Sequence, residues 1–545
     1  MATQCTEATE NKWEMTDLDK VRRLLYLGCE TGTYYMDLKQ QNREVSGTES
    51  LKSLLASDKG VEFVKDLSTL GLDNPLVTVT RQRKEFAFEA YVQCARHENV
   101  ILRQTCYSHF DKVIRTSQDL LDFAAAVDKR PIAGTEKGTG WGRSFRRAVG
   151  KWFNTKEPVE LARITTRRRR IRKKTWDHRD VLRLAHVKPK SKGTAAVLKY
   201  LVKGLDKVKE AYPEDGLQDE IKPVRKFLID VEDVHKLKDD ADKQKVMALV
   251  EEHRLHLDHV NNHWRKSKEL WTVVVQHLPL KEILPDLGRL TNKQELFGPQ
   301  DITSSRLCER LKDEEELKAA RLHPYDILQA LKSYRAKRAK VGTEKIKWTL
   351  NKQIVEALDA ALLTSFKFLE STGKRFVLAI DVSPSMKLSG VNGSPGVTAK
   401  EAVAIMSMQV VRTEKSFRIM AFSKNFEDIQ ITPEMNFEQT KAKIGELSMG
   451  SMDVAHPMDW ALKNKVPADV FIVFTDVKTT HESLSPSQAL KEYRKGMQID
   501  AKLVVVALAS NQFTVADPTD SGMLDIAGFN ASGPELIRKF SIGEL

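Results

Sequence analysis

A multidomain chain is predicted, with a long all-α helical region followed by an α/β domain built on a doubly wound, mostly parallel sheet. Three observations predict it. The 545 residues exceed what a single hydrophobic core supports. Apolar residues recur three or four apart from about residue 16 to residue 370, and near Gly373 the period changes to short β-branched runs separated by helical segments. The charge divides at the same place. Residues 374–545 hold 19 Lys+Arg against 20 Asp+Glu, which leaves 69 of the 88 cations and 55 of the 75 anions, a net of +14, on the first 373 residues. Such asymmetry implies a polyanion-binding region joined to a near-neutral module.

Within the helical region, "WGRSFRRAVGKWF" (Trp141 to Phe153) comes first among the informative segments. It places Arg143, Arg146, Arg147 and Lys151 at spacings that share a helical face, and its aromatics Trp141, Phe145, Trp152 and Phe153 read as core. "TTRRRRIRKKTWDHRD" (Thr165 to Asp180) follows, with Arg167, Arg168, Arg169, Arg170, Arg172, Lys173 and Lys174 inside eight positions. On a helix that run is self-repelling unless an anion is near, so phosphate contact is expected, with a solvated loop or an import signal as the competing reading. The segments 180–187, 195–212, 233–255 and 324–339 carry helical periodicity, and "DNP", "AGTEKGTG", "KPKSKG", "HLPL" and "RLHP" punctuate them. Helices paired by short turns suggest a stacked-repeat solenoid. His253, His256, His259 and His263 fall on one predicted helix at spacings of three and four; without a Cys or partner His motif they read as a polar face rather than a metal site.

Beyond Gly373, strands are expected over 375–383, 416–423, 468–476 and 502–510, with helices over 398–411, 437–447 and 486–497. Functional groups of an open parallel sheet gather beyond the carboxyl ends of its strands. Two of these strands end in Asp381 and Asp476, and Asp381-x-Ser383-x-Ser385 adds two hydroxyls. Four hard oxygen donors suit Mg²⁺ or Mn²⁺, while capping of the next helix is the plainer role for the serines.

The remaining composition narrows the classes. Cys5, Cys29, Cys94, Cys106 and Cys308 are odd in number and lack C-x-x-C spacing, so buried thiols are expected rather than disulfides or zinc. No apolar run reaches the ~20 residues of a membrane span, and the polar start "MATQCTEATENKWEMTD" lacks a signal-peptide pattern, so a cytoplasmic protein with a nuclear pool and no membrane contact is expected. No G-x-S-x-G, H-E-x-x-H or G-K-[ST] motif is present, and no enzyme activity is expected.

"AIDVSPSM" together with "FIVFTD" resembles the von Willebrand factor A domain and its metal-ion-dependent adhesion motif. "GTYYM" (Gly32 to Met36), "WGRSFRRAVGKWF", "HRDVLRLAHVKP" (His178 to Pro189) and "RLHPYDILQAL" (Arg321 to Leu331) extend the resemblance over nearly the whole chain, to the TROVE-plus-A-domain family of Ro 60-kDa ribonucleoprotein autoantigens. The resemblance implies a HEAT-like helical-repeat ring over residues 16–370 and a von Willebrand factor A-like domain over 374–540. It further implies a monomer that binds Y RNAs on its outer surface and the single-stranded 3′ ends of misfolded non-coding RNAs in a central cavity, in RNA quality control. Arg169, Lys173 and His186 are the Y-RNA candidates it carries over. In the A domain, Asp381, Ser383, Ser385 and Asp476 are the implied metal ligands, with Ser451 or Asp453 as a further one. The family places a Thr where "MGSMDVAHPM" has Met452, a poor ligand for a hard cation, so weak or no metal binding is expected. A metal-dependent adhesion scaffold that meets a protein ligand at this site is the alternative function.

Overall fold

The computed structural model describes residues 13–30, 32–35, 48–72, 81–130, 141–167, 176–293, 296–298, 301–341, 344–422, 426–446, 453–476, 484–510 and 515–545. The chain folds as two compact units, one of Leu51–Leu278 and one of Met1–Ser50 with Pro279–Leu545. These units are cut elsewhere than the spans 16–370 and 374–540 expected from the sequence.

In the first unit the described elements are helices, and each packs chiefly on near neighbours in the chain. Arg81–Arg96 lies on Val100–Ser108, Lys192–Lys203 on Leu205–Ala211, and Lys222–Lys236 on Lys243–Glu252. Polar residues start the helices by accepting otherwise unpaired amides. Asn99 Oδ1 takes the amide of Ile101 at 2.9 Å, Thr116 Oγ1 that of Asp119 at 3.1 Å, and Ser191 Oγ that of Thr194 at 3.0 Å. The core is aromatic, as the spacing predicts: Phe110, Phe123 and Phe145 meet edge to face at 5.3–6.0 Å between ring centres. Trp152 is fully buried, and its indole N–H donates to the Ile114 carbonyl at 2.8 Å.

Two predicted helices are broken. The segment 195–212 divides at Gly204, whose φ of 82° suits a residue without Cβ. The segment 233–255 divides between Lys236 and Lys243, and its second part ends at Glu252.

The second unit carries a seven-stranded sheet in the order β1-β9-β8-β7-β4-β5-β6. Its strands are β1 (Thr33–Tyr35), β4 (Arg375–Ile380), β5 (Ser416–Ala421), β6 (Glu427–Asp428), β7 (Val470–Thr475), β8 (Lys502–Ala507) and β9 (Met523–Ala527), while β2 (Arg338–Val341) and β3 (Glu344–Lys347) form a separate hairpin. All neighbours in the large sheet are parallel except β5 and β6. Every residue of β7 is buried, which is why it reads as an apolar run. β9 is equally buried but carries Asp525 in its middle, and no strand was legible there in the sequence.

The expectation of helix throughout 16–370 fails at β1 and at the β2–β3 hairpin. β1 pairs with β9 in the register Thr33↔Asp525, so a segment near the start of the chain extends the C-terminal sheet. Gly32 is needed there, because a Cβ would stand 3.0 Å from the Met523 carbonyl oxygen. The helix Asp17–Leu27 holds the segment down: buried Arg23 donates to the carbonyls of Asp520, Ser521 and Met523 at 2.9–3.3 Å. The helix Pro324–Arg335 also packs on this domain, with Tyr325 hydroxyl to Ser394 Oγ at 2.9 Å and Lys332 paired to Glu401 at 2.7 Å.

Candidate nucleic-acid interface and metal-ion site

β4 and β7 lie side by side, so their carboxyl ends bring Asp381 and Asp476 to one rim of the sheet. The Asp381 amide donates to the Phe474 carbonyl at 2.9 Å, which fixes the exit of the strand. Asp381 Oδ1 accepts the Ser383 amide at 2.8 Å, and the hydroxyls of Ser383 and Ser385 are 2.8 Å apart. Both carboxylates are buried, whereas Ser385 is exposed. Two groups not anticipated from the sequence join them: Thr475 Oγ1 reaches Asp381 Oδ2 at 3.4 Å, and Ser389 Oγ reaches Asp476 Oδ2 at 3.4 Å. A strand-end Thr and a Ser four positions beyond Ser385 carry no motif that marks them.

Burial pushes the Asp381 carboxyl above its usual range, and the neighbouring Asp476 charge pushes the same way. A divalent cation would relieve both effects, so these oxygens fit one chemically. Asp453 Oδ1 accepts the amide of Ala455 at 2.9 Å, while Ser451 and Met452 lie outside the described residues.

In the helical unit, Arg143, Arg146 and Arg147 are all exposed on the helix Arg143–Asn154, and Phe145, Trp152 and Phe153 on its other face are buried. Among the described residues no carboxylate pairs with these three arginines, whereas Lys151 is held by Asp111 at 2.7 Å. Arg167 is exposed; Arg168, Arg169, Arg170, Arg172, Lys173 and Lys174 lie outside the described residues. His186 is exposed and caps the helix His178–Ala185 in a left-handed conformation with φ 51°. That helix adds exposed Arg179 and Arg183, followed by exposed Lys188 and Lys190. The first two were legible: positions 179, 183 and 186 follow one another at helical spacing within "HRDVLRLAHVKP".

The histidine series does not share a helix. His253 ends one, with Nε2 2.7 Å from Asp230 Oδ2, and Arg254 then turns the chain at φ 47°. His256 caps a short 3₁₀ turn, and His259 is wholly buried with Nε2 donating to the Arg163 carbonyl at 2.9 Å. His263 packs edge-on against Trp264. The expected polar face is therefore replaced by four separate local roles. No helix among the described residues is long and apolar enough to cross a membrane.

Two family models match the chain: the TROVE domain over residues 6–341 and the Ro60 vWA domain over residues 375–541. A protein from Caenorhabditis elegans named "RNA-binding protein RO60" is 28% identical over 589 residues, covering 97% of this chain and 89% of that one. A Deinococcus radiodurans protein of the same name is 31% identical over 538 residues, covering 98% and 94%. Among solved structures, the Deinococcus radiodurans RO (RSR) protein superposes with a TM-score of 0.77 at 30% identity, covering 97% of this chain and 100% of that one. By these matches, and by a fold that joins stacked helices to a mostly parallel seven-stranded sheet, the chain belongs to the TROVE-domain family with a Ro60-type vWA domain.

Proposed function

We propose that the chain is a non-catalytic RNA-binding protein. It takes structured small RNAs of the Y-RNA kind on its cationic helical surface and the single-stranded 3′ ends of misfolded non-coding RNAs, in RNA quality control. The observation that carries the reading is the row Arg143, Arg146 and Arg147, exposed on a helix whose aromatics are all turned inward. Guanidinium groups without carboxylate partners neutralise phosphates, and each contact releases counterions independently of base sequence. The names of the two relatives and the basic excess before residue 374 support it. A monomer residing in the cytoplasm with a nuclear pool completes the reading. The test is a mobility shift of the full chain on a structured RNA and on a hairpin with a 3′ overhang, across a salt series. Reversal of all three arginines to Glu should lower affinity at least tenfold and flatten the log K against log salt slope by roughly 3, about 1 per contact. An unchanged slope sinks the assignment.

The Asp381 rim supports a second role for the vWA domain, with Asp381, Ser383, Ser385 and Asp476 holding Mg²⁺ or Mn²⁺. Such a cation supplies an open coordination position for an outside carboxylate, which a protein ligand would fill. Calorimetric titration of Mg²⁺ into the full chain and into Asp381→Ala checks this. Weak binding in the former, in keeping with Met452 in place of the family's Thr, and none in the latter is expected; equal heats in both would refute it.

A further inference from the structure

We propose that the helical unit contains a pocket for one unpaired nucleotide of a bound RNA, formed by Arg115, Ser117, Gln118, Arg167, Trp176 and His178 around a cavity of about 250 Å³. The proposal rests on the RNA-binding reading and adds to it a defined subsite. The cavity is smaller than the roughly 300–1,000 Å³ of drug-sized ligand sites, so it suits a single base rather than a stacked run.

Its wall has the parts a nucleotide needs. Trp176 is stacked on Trp141 with ring centres 5.6 Å apart and planes 14° from parallel, and the same indole lines the cavity. A ring anchored in this way is a rigid surface for a base, and base–aromatic stacking tolerates any base identity. Arg167 is exposed at the rim, and no carboxylate pairs with it among the described residues. Arg115 is oriented by hydrogen bonds from Nε to the Lys112 carbonyl at 2.8 Å and from Nη2 to the Thr69 carbonyl at 3.3 Å. Two guanidinium groups beside an aromatic face match a phosphate next to a base.

The floor is polar and preorganised. His178 Nε2 and Ser117 Oγ are 2.7 Å apart, which holds both side chains in place. Burial lowers the His178 imidazole to about 4, so at neutral pH it is an uncharged hydrogen-bonding group. Ser117 and Gln118 open the helix Ser117–Lys129, whose first amides precede the intrahelical ladder and face the end favoured by anions. Asp177, the one carboxylate lining the cavity among the described residues, accepts the Asp180 amide at 2.9 Å and is engaged by its own helix.

A hairpin carrying a single bulged 2-aminopurine tests the assignment, compared with a fully paired hairpin holding the same base inside its stem. With the full wild-type chain, the bulged probe should bind roughly tenfold more tightly and lose fluorescence by stacking, while the paired probe binds without quenching. Trp176→Ala should remove both the quenching and the preference for the bulge, with circular dichroism as the check on folding. Should that variant fail to fold, the wild-type comparison alone decides: equal affinities with no quenching overturn the pocket. Failure of both hairpins to bind would instead overturn the RNA reading and the pocket with it. Equally tight, Trp176-dependent binding of free 2-aminopurine riboside monophosphate would reassign the cavity to a free nucleotide and refute an RNA origin.

Discussion

At the scale of single residues, the buried histidines make stability depend on pH with a defined sign. His259 and His323 are both lowered by burial to about 4, against an ordinary value of 6.5. Between those two pH values the unfolded chain binds protons that the folded chain refuses. Stability is therefore complete above about pH 6.5 and falls as pH drops towards 4, by up to ~3 kcal/mol for each histidine. Guanidinium melts at pH 7 and 4.5 should show the loss. His259→Gln keeps a donor for the Arg163 carbonyl and should make the pH dependence shallower than wild type; an identical slope would rule out His259 as a source. The sequence placed His259 on one helix face with His253, His256 and His263 because nothing in "EEHRLHLDHV" signals a break. The turn at Arg254 uses a positive φ on a residue that is neither Gly nor Asn, and no propensity marks it. Asp381 and Asp476 were legible because each ends an apolar run, whereas Thr475 and Ser389 became partners only once β4 and β7 paired.

At the scale of elements, the informative failure is β1. Three residues, "TYY", form a strand whose partner lies almost five hundred positions later, so local periodicity holds no trace of it. What specifies β1 is tertiary: Gly32 allows the close approach to Met523, the Asp525 amide donates to the Gly32 carbonyl at 2.6 Å, and Arg23 fills the gap behind. The strands β4, β7 and β8 were readable because burial on both faces requires continuous apolar runs, and β5, buried only over its last three residues, was readable from the apolar end of "SFRIMAFS". Arg23→Ala would leave buried carbonyls of the segment 520–523 without their guanidinium donor. Unmet buried acceptors cost about 1–3 kcal/mol each, and a loss of about 3 kcal/mol is expected. Arg23→Lys should restore only part of it, since all three bonds come from the guanidinium Nη2, which the shorter lysine side chain does not bring to the same place. Denaturant unfolding of the three proteins checks the order; equal midpoints would show that the helix Asp17–Leu27 does not depend on this contact.

At the scale of the whole molecule, the chain's two ends belong to one unit. Trp13 lies under the Arg494 guanidinium at 3.7 Å, its carbonyl accepts the Ser521 amide at 2.8 Å, and Arg494 pairs with Asp520 at 2.7 Å in a setting nearly closed to water. The described residues between Trp13 and Tyr35 therefore complete the vWA-type sheet, although the first 47 residues fall largely inside the TROVE match. The charge of those 47 is nearly balanced, six Lys+Arg against eight Asp+Glu, so they add little to the basic excess that the RNA reading rests on. Removal of residues 1–47 should then separate two properties. The sheet loses its β1 edge, bares the backbone of β9 and unfolds at lower temperature with a tendency to aggregate. The Arg143–Arg147 surface belongs to the other unit, and the salt slope of RNA binding at low temperature should stay within error of wild type. Calorimetry and salt-series binding on the same truncated protein decide the matter. A lost salt slope with an unaltered melt would mean that the N-terminal segment serves RNA rather than the sheet.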